Sequence, residues 1–332
     1  MQRFGIIGYG SIGPRHAQCM KEHGELVAVC DVSREAREKA SADLGCETLT
    51  EVDEFLAQQL DLVAVCTPNY LHAEHTVAAL RAGKDVICEK PMSLSVEDCE
   101  RMIAVSRETT KRIFVVKQNR FNPPVQRLKQ LIDDGSLGRI YSFQLNCFWN
   151  RNENYFAESD WRGKDEKDGG ILFTQFSHFV DLLSWLFGKA TDVNTIGEKF
   201  RNSSVPEFDD TVVSVMKFSN GVIGSCNFTI NSHEKNMEGS ITIFAENGTI
   251  KIGGKYLNTL EYQDIKNLVI TDLEESKPAN NYGDYEGSMS NHDLFYNNVM
   301  DVLNGNGELL VEMEDGLRTV ELICRISSVT QQ

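Results

Sequence analysis

The sequence predicts an α/β fold in two parts. A doubly wound parallel sheet spans residues 1–118, and an α+β domain with a large, mostly antiparallel sheet spans 119–332. Three observations predict it. Short, continuous, largely β-branched runs alternate with helix-length segments through about residue 118, as expected of parallel strands buried on both faces. A glycine-rich turn stands between the first run and the first helix. Beyond residue 119 the runs alternate apolar with polar, and Asn-Gly dipeptides separate them, which is a hairpin pattern. A chain of 332 residues with ordinary globular composition fits two domains.

In the first part the expected strands are RFGIIG (3–8), LVAVCD (26–31), DLVAVC (61–66), DVICE (85–89) and RIFVVK (112–117). Between them lie SREAREKASADLG, NYLHAEHTVAALRAG and SVEDCERMIAVSRETT, which open on Ser or Asn as candidate N-caps. Repeated βα units place ligands at the carboxyl ends of the strands. The first βα turn is Gly8-Tyr9-Gly10-Ser11-Ile12-Gly13. A lone GxGxxG is weak evidence. Here it follows a strand and opens a helix, and the next strand ends in Asp31, near the expected spacing of about 20 residues. That is the Rossmann fingerprint for a dinucleotide, with Gly8, Gly10, Ser11, Ile12 and Gly13 around the pyrophosphate at a helix N-terminus. Asp31 could accept from a ribose 2′-hydroxyl, which favours NAD. Arg34 could neutralise a 2′-phosphate, which keeps NADP open.

Two further strand ends carry candidate residues. Thr67-Pro68-Asn69, with His72 just beyond, follows the third run, and Glu89-Lys90-Pro91 follows the fourth. Both turns are expected along the nicotinamide side of the crevice. Lys90 stands between an apolar strand and a proline, so it reads as more than a solvated charge. His72 and His75 have helical i, i+3 spacing, but no further ligand completes a metal site, so no metal is expected.

The second part opens with the helix PPVQRLKQLIDDG. Strands GRIYSFQLNCFWN, TVVSVMKF, GVIGSCNFTI, GSITIFAE and GTIKIGG follow, with hairpin turns at Asn220-Gly221 and Asn247-Gly248. Helices return in NHDLFYNNVMDVLNG and MEDGLRTVELICRISSV. Before the antiparallel strands lies DGGILFTQFSHFVDLLSWLFG (168–188), helical in pattern and apolar on almost every side. It nonetheless carries Thr174, Gln175, Ser177, His178 and Asp181. Buried polar groups are costly unless something answers them. On a continuous helix Thr174, His178 and Asp181 share one stripe.

The net charge of −16 comes without any basic block, which argues against nucleic acid or an anionic membrane as partner. No run approaches transmembrane length, and the N-terminus lacks the apolar core of a signal peptide, so a cytoplasmic protein is expected. Nine scattered cysteines without a CxxC pair read as reduced, buried thiols.

GYGSIG, the Asp31 strand end, TPN, EKP and a helix beginning DGG with a central histidine together resemble the Gfo/Idh/MocA oxidoreductases across essentially the whole chain. KQNRFNP (117–123), NENYFAESDWRGKDEKDGG (152–170), ILFTQFSHFVDLLSWLFG (171–188) and the later ANNYGDYEGSMSNHD resemble bacterial UDP-N-acetylglucosaminuronate 3-dehydrogenases of surface-polysaccharide synthesis. The resemblance implies an NAD-dependent dehydrogenase whose small-molecule substrate is a nucleotide sugar. It implies catalytic roles for Lys90 and His178, which would meet over the substrate carbon. It also implies a homo-oligomer, dimer or tetramer, packed through the antiparallel sheet. Arg120 and Arg162 are the expected partners of a uronate carboxylate, because a guanidinium can meet it with two parallel bonds. Asn119, Trp161, Gln175 and Tyr282 are expected neighbours of the substrate. One departure stands out. Many relatives carry an aspartate four residues before the histidine, and here that position is Thr174, which can hydrogen-bond an imidazole but cannot stabilise its cation. Whether His178 or Lys90 is the base therefore stays open. So do an inositol-type polyol as substrate, a non-enzymatic dinucleotide sensor, and whether the cofactor stays bound and is reoxidised by 2-oxoglutarate.

Overall fold

The computed structural model describes residues 1–281 and 286–328. The chain divides into two compact units: Met1–Val116 with His292–Val320, and Lys117–Asn291 with the chain from Glu321.

The first unit alternates strand and helix in order. These are β1 (Gln2–Ile7), α1 (Gly13–His23), β2 (Gly24–Cys30), α2 (Arg34–Leu44), β3 (Glu47–Leu49), α3 (Val52–Leu56), β4 (Leu62–Val65), α4 (His72–Arg81), β5 (Asp85–Cys88), α5 (Val96–Thr109) and β6 (Ile113–Val115). The six strands form one parallel sheet in the order β3-β2-β1-β4-β5-β6. Strand order reverses between β1 and β4, so a crevice opens at the carboxyl ends of those two strands. All four residues of β4 are buried, as the continuous apolar run foretold. Ser33 and Ser95 cap α2 and α5 by accepting the amides of Ala36 and Asp98. Asn69 does not cap α4; it begins a short 3-10 turn, and Leu71 stands before the helix. β3 went unread in the sequence because three residues carry no period.

The second unit starts with α6 (Pro123–Asp133), β7 (Ile140–Phe148) and the short helices α7 (Glu153–Ala157), α8 (Asp165–Asp168) and α9 (Ile171–Thr174). Then come α10 (Ser177–Phe187), β8 (Ala190–Glu198), β9 (Thr211–Phe218), β10 (Ile223–Thr229), β11 (Glu238–Ala245), β12 (Gly248–Gly253), β13 (Thr259–Ile265), and the ribbon β14 (Ala279–Asn281) and β15 (Glu286–Met289). Seven strands pair in the order β13-β12-β11-β7-β10-β9-β8, antiparallel except where β10 lies parallel to β7. Asn220-Gly221 turns β9 into β10, with Gly221 at φ 87°, a value that favours glycine. β8 is polar and lies at the sheet edge, so no apolar alternation announced it.

One face of this sheet is the core. Phe143 stacks on Phe187 at 4.8 Å between ring centres, and Phe176 lies 5.4 Å from Phe228, so α10 covers the inward side chains of β7 and β10. The single helix expected over 168–188 is broken. Gly169 and Gly170 have positive φ, and the chain leaves helical geometry at Phe176, giving α8, α9 and α10. His178 and Asp181 therefore share a helix, and Thr174 does not belong to their stripe.

The last helices, α11 (His292–Leu303) and α12 (Met313–Ser328), complete the element list. Residues 292–320 were expected within 119–332, and they group instead with the first unit. The cause is specific packing. His292 and Tyr296 bond Glu89 and His16, Glu314 pairs with Arg107, and Gly316 sits against Met92 and Val115.

Candidate active site: a glycine-rich cradle and a buried polar cluster

In the first unit the turn after β1 is shaped by its glycines. Gly8 has φ 94°, and a Cβ there would lie 2.7 Å from the Cys66 carbonyl oxygen. A Cβ on Gly13 would lie 2.8 Å from the Gly8 carbonyl oxygen, which is close helix–strand packing. Gly10 is different. A Cβ there would meet no protein atom within 4 Å, and its φ is ordinary, so nothing inside the protein demands a glycine. The space beside it is open to solvent, with room for a ligand to approach the turn closely. Ser11 and Ile12 lead into α1, whose N-terminus has no side-chain cap, which suits an anion there; Pro14 carries no N–H and the Arg15 amide already bonds the Ile12 carbonyl at 3.0 Å. Asp31 accepts the Tyr9 amide at 2.7 Å and the Ser33 amide at 2.8 Å, which fixes it beside this turn. A carboxylate offers about four acceptor positions, so capacity remains for a ribose hydroxyl. These residues fit a dinucleotide. Arg34 is mostly exposed and pairs with Glu38 at 2.7 Å.

The strand ends of β4 and β5 bring Thr67-Pro68-Asn69 and Glu89-Lys90-Pro91 to the same edge of the sheet. His72 is 1% exposed, with Nδ1 2.6 Å from the Pro91 carbonyl oxygen and Nε2 2.8 Å from that of Thr67. Burial pushes its pKa down, and its tautomer decides which carbonyl receives the N–H. A neutral ring donates to one of these carbonyls and packs its other nitrogen against the second, so His72, expected at the cofactor, braces the two turns. Glu89, also expected at the cofactor, is buried and turned inward. Its Oε1 accepts from His16 and His292, and its Oε2 accepts the Lys90 amide at 3.0 Å. His75 Nδ1 lies 3.1 Å from the Thr67 hydroxyl and shares no ligand set with His72.

In the second unit His178 is 3% exposed at the start of α10. Its Nε2 lies 3.2 Å from Gln118 Nε2 and 3.3 Å from Ser288 Oγ, while Gln118 donates to Ser288 at 2.9 Å. Around it several buried atoms lack partners among the described residues: both amide atoms of Asn119, Gln118 Oε1, Gln175 Oε1 and Ser177 Oγ. Gln175 spends only its Nε2, on Tyr155 Oη at 2.9 Å. Orphaned buried polar atoms are rare and each leaves about 1–3 kcal/mol unrecovered. A polar ligand would answer them. Thr174, weighed as a partner for the imidazole, gives its hydroxyl to the buried carboxylate of Asp168 instead.

Arg120 departs most from expectation. It is 1% exposed, and it meets Asp181 with two bonds, Nε and Nη2, both at 2.8 Å. Lys117 lies 3.4 Å from the same carboxylate, and the Arg120 guanidinium sits 4.9 Å over the Trp185 ring. Its Nε and Nη2 are committed to Asp181 inside the protein, a pairing that the expectation of a substrate carboxylate at Arg120 left out. Arg162 bonds Glu158 at 2.8 Å and the Tyr155 carbonyl at 3.3 Å, and its guanidinium lies 4.6 Å over the Tyr155 ring. Arg151, 3% exposed, lies over the same ring at 5.2 Å and over Trp149 at 5.0 Å. It bonds the Asn236 side chain at 3.2 Å. Two buried guanidiniums thus gather about Tyr155, whose hydroxyl holds Gln175. Trp161 is half-buried, its ring 6.0 Å from Arg162. Tyr282 lies outside the described residues. Arg151, Gln118, Asp168 and Ser288 were missed in the sequence. A clue to Arg151 was its place at the end of β7, where a polar residue follows a buried strand.

A nucleotide cradle at the switch point of a parallel sheet, with a separate unit rich in unanswered buried polar atoms, defines a dinucleotide-dependent enzyme. Residues 2–117 match the oxidoreductase family with an NAD-binding Rossmann fold, and residues 125–251 match the GFO/IDH/MocA C-terminal domain. The structure resembles that of the WlbA dehydrogenase from Bordetella pertussis, solved with NADH and UDP-GlcNAcA. The TM-score is 0.88 and the identity 34%, over 99% of this chain and 96% of that one. The 2,7-anhydro-N-acetylneuraminate hydratase of Escherichia coli K12 is 30% identical over 79% of this chain and 73% of its own length. The inositol 2-dehydrogenase of Rhizobium meliloti is 35% identical over 56% of this chain and 55% of its length. The chain belongs to the Gfo/Idh/MocA oxidoreductase family. It is an NAD-dependent oxidoreductase of the sugar- and polyol-dehydrogenase kind. No helix among the described residues is long and apolar enough to cross a membrane.

Proposed function

We propose that the enzyme oxidises the 3-hydroxyl of UDP-N-acetylglucosaminuronate with NAD, in the synthesis of a surface-polysaccharide sugar. The observation that carries this reading is the pair of buried guanidiniums, Arg151 and Arg162, over one Tyr155 ring in a chain of net charge −16. Arg162 already pairs with the more exposed Glu158, and two cations gathered on one ring beside that single carboxylate suit a further acidic group, for which a neutral polyol has no use. The likeness to a dehydrogenase solved with UDP-GlcNAcA supports the same class.

Oxidation breaks the carbinol C–H bond with its electron pair and releases the hydroxyl proton, leaving a ketone. Bound NAD supplies the hydride acceptor. His178 takes the hydroxyl proton, for which a base must lie within hydrogen-bond reach. Gln118 and Ser288 at its Nε2 set the orientation of the ring. Lys90 polarises the oxygen as negative charge develops on it. Asn119, Gln175 and Ser177 bond the sugar with the atoms now orphaned.

We further infer that the enzyme is a homo-oligomer, dimer or tetramer, that works in the cytoplasm. The solvent face of the seven-stranded sheet exposes Ile196, Val213, Val215, Ile223, Phe244 and Tyr262, apolar side chains interspersed with Lys217, Ser225 and Asn227, a mixed face suited to a second copy. The chemistry is tested by NADH formation on mixing protein, NAD and UDP-N-acetylglucosaminuronate. His178→Ala should lose about 10²–10⁴-fold in kcat with NADH affinity unchanged. Unchanged kcat would return His178 to a structural role.

A further inference from the structure

We propose that Glu89 is the hub of a buried network that positions Lys90, and that His16, His292 and Tyr296 act on turnover through it. The inference rests on the role given above to Lys90. Lys90 follows β5, and the backbone before and after it is held, through Glu89 on one side and at the Pro91 carbonyl on the other, by buried imidazoles. On one side, Glu89 Oε1 accepts from His16 Nε2 at 2.8 Å and from His292 Nε2 at 3.3 Å, while Oε2 accepts the Lys90 amide at 3.0 Å. On the other, the Pro91 carbonyl oxygen lies 2.6 Å from His72 Nδ1. The three histidines come from α1, α4 and α11, and they are 0%, 1% and 1% exposed.

The hydrogen-bond pattern has a direction. Tyr296 Oη lies 2.8 Å from His16 Nδ1. A neutral ring that donates from Nε2 to Glu89 keeps a lone pair on Nδ1, which the tyrosine hydroxyl fills. Burial opposes a charge on Glu89, but the bonds from the two imidazoles overcome it and hold the carboxyl well below the usual range. Apolar side chains of similar volume would serve stability as well as such a set of buried polar groups. What they would not do is hold the Lys90 peptide from beneath in one orientation. A displacement of about 1 Å at a reacting group can cost about a hundredfold in rate.

Glu89, His16 and His292 present ligand atoms within 4.8 Å of one another, as a metal site would. Two nitrogens converging on one carboxylate oxygen, one at 2.8 Å, make ordinary hydrogen bonds; the tyrosine hydroxyl answers His16 Nδ1, and His292 Nδ1 has no hydrogen-bond partner among the described residues.

The test combines kinetics with UDP-N-acetylglucosaminuronate, or failing that the sugar the wild type oxidises, with amide hydrogen exchange and metal analysis of the purified protein. Lys90→Met, Glu89→Gln, His292→Ala, His292→Gln and the Glu89→Gln/His292→Ala double variant are compared. Glu89→Gln and His292→Ala should lower kcat about ten- to a hundredfold, with KM and NADH affinity within about threefold. Both should lose exchange protection in the peptide carrying Lys90 while β6 keeps its protection. His292→Gln restores a donor and should recover most of kcat. The double variant should be no slower than Glu89→Gln, because both act through one group. Wild-type kcat and protection in both single variants, additive losses, or one metal ion per chain would each overturn the proposal. If His292→Ala fails to fold, the isosteric Glu89→Gln carries the test. An active Lys90→Met overturns the assignment of Lys90 and this inference with it. An inactive Lys90→Met beside unaffected Glu89 and His292 variants overturns this inference alone.

Discussion

Asp181→Asn should destabilise the second unit more than it harms substrate selection. The wild-type carboxylate faces Arg120 through two bonds of 2.8 Å and Lys117 at 3.4 Å, and all three side chains are at most 2% exposed. The cluster already holds two cations against one anion. Neutralising Asp181 leaves both cations buried without their carboxylate partner, and breaking a buried pair in this way costs about 3–5 kcal/mol. Arg120 keeps its place over Trp185 in both proteins, so that contact does not enter the difference. At an m of about 2–3 kcal/mol/M, the urea midpoint of this unit should fall by about 1–2 M. Tryptophan fluorescence suits the assay, since Trp149, Trp161 and Trp185 all lie in this unit. Replacing all three charges, as in Lys117→Met/Arg120→Met/Asp181→Leu, should recover most of the loss, because the desolvation cost goes with the charges. A loss below about 1 kcal/mol in Asp181→Asn would refute the reasoning. So would an Arg120→Ala variant of wild-type stability that had lost its preference for an acidic substrate, because Arg120 would then belong to the substrate after all.

Gly10→Ala should leave the unfolding midpoint near wild type yet weaken NADH binding at least tenfold, since its methyl meets only the space kept for the cofactor. Equal NADH affinity would remove the pyrophosphate from that position. Asp31 should make NAD bind more tightly than NADP, and Asp31→Ala should narrow the gap; tighter NADP binding would promote Arg34. Acid should unfold the first unit. Burial holds the folded pKa of His72 and His292 below the ordinary value of 6.5, so below that pH the unfolded chain takes up protons that the folded chain refuses. Stability should therefore fall below pH 6.5, by at most about 1.4 kcal/mol per pH unit for each histidine. Glu89 adds a loss only below its ordinary value of 4.5, as pH drops through its depressed folded value. A urea midpoint that stays flat between pH 6.5 and 5 would contradict the burial of neutral rings.

The nucleotide half was legible because its signals are local. A glycine turn, a strand and an aspartate at fixed spacing lie within one βα unit, and each is required by backbone geometry that any reader of the chain can apply. The partners of those residues were not legible, because they arrive from afar. Glu89 was read as a cofactor residue because its strand end is local, whereas His292 and Tyr296, which turn it inward, lie about two hundred residues on. Arg120 looked available for the same reason, since only the fold brings Asp181 to it. In the helix of 168–188 the apolar pattern was real, but Gly169, Gly170 and the break at Phe176 divided it. Periodicity reports which side chains are buried, and it is silent on where a buried hydroxyl such as that of Thr174 finds its acceptor.

The central claim is that this NAD enzyme takes an acidic nucleotide sugar. The most direct measurement is the initial rate of NADH formation with UDP-N-acetylglucosaminuronate against UDP-N-acetylglucosamine, in wild type, Arg162→Ala and Arg151→Ala. Arg162 keeps Glu158 whichever sugar binds, so the acid gains a charge-assisted bond of about 1.5–3 kcal/mol and should be preferred at least about tenfold in kcat/KM. Each arginine variant should shrink that preference while NADH affinity stays unchanged. Equal rates on the acid and the neutral sugar would contradict the carboxylate assignment and leave only the family membership standing.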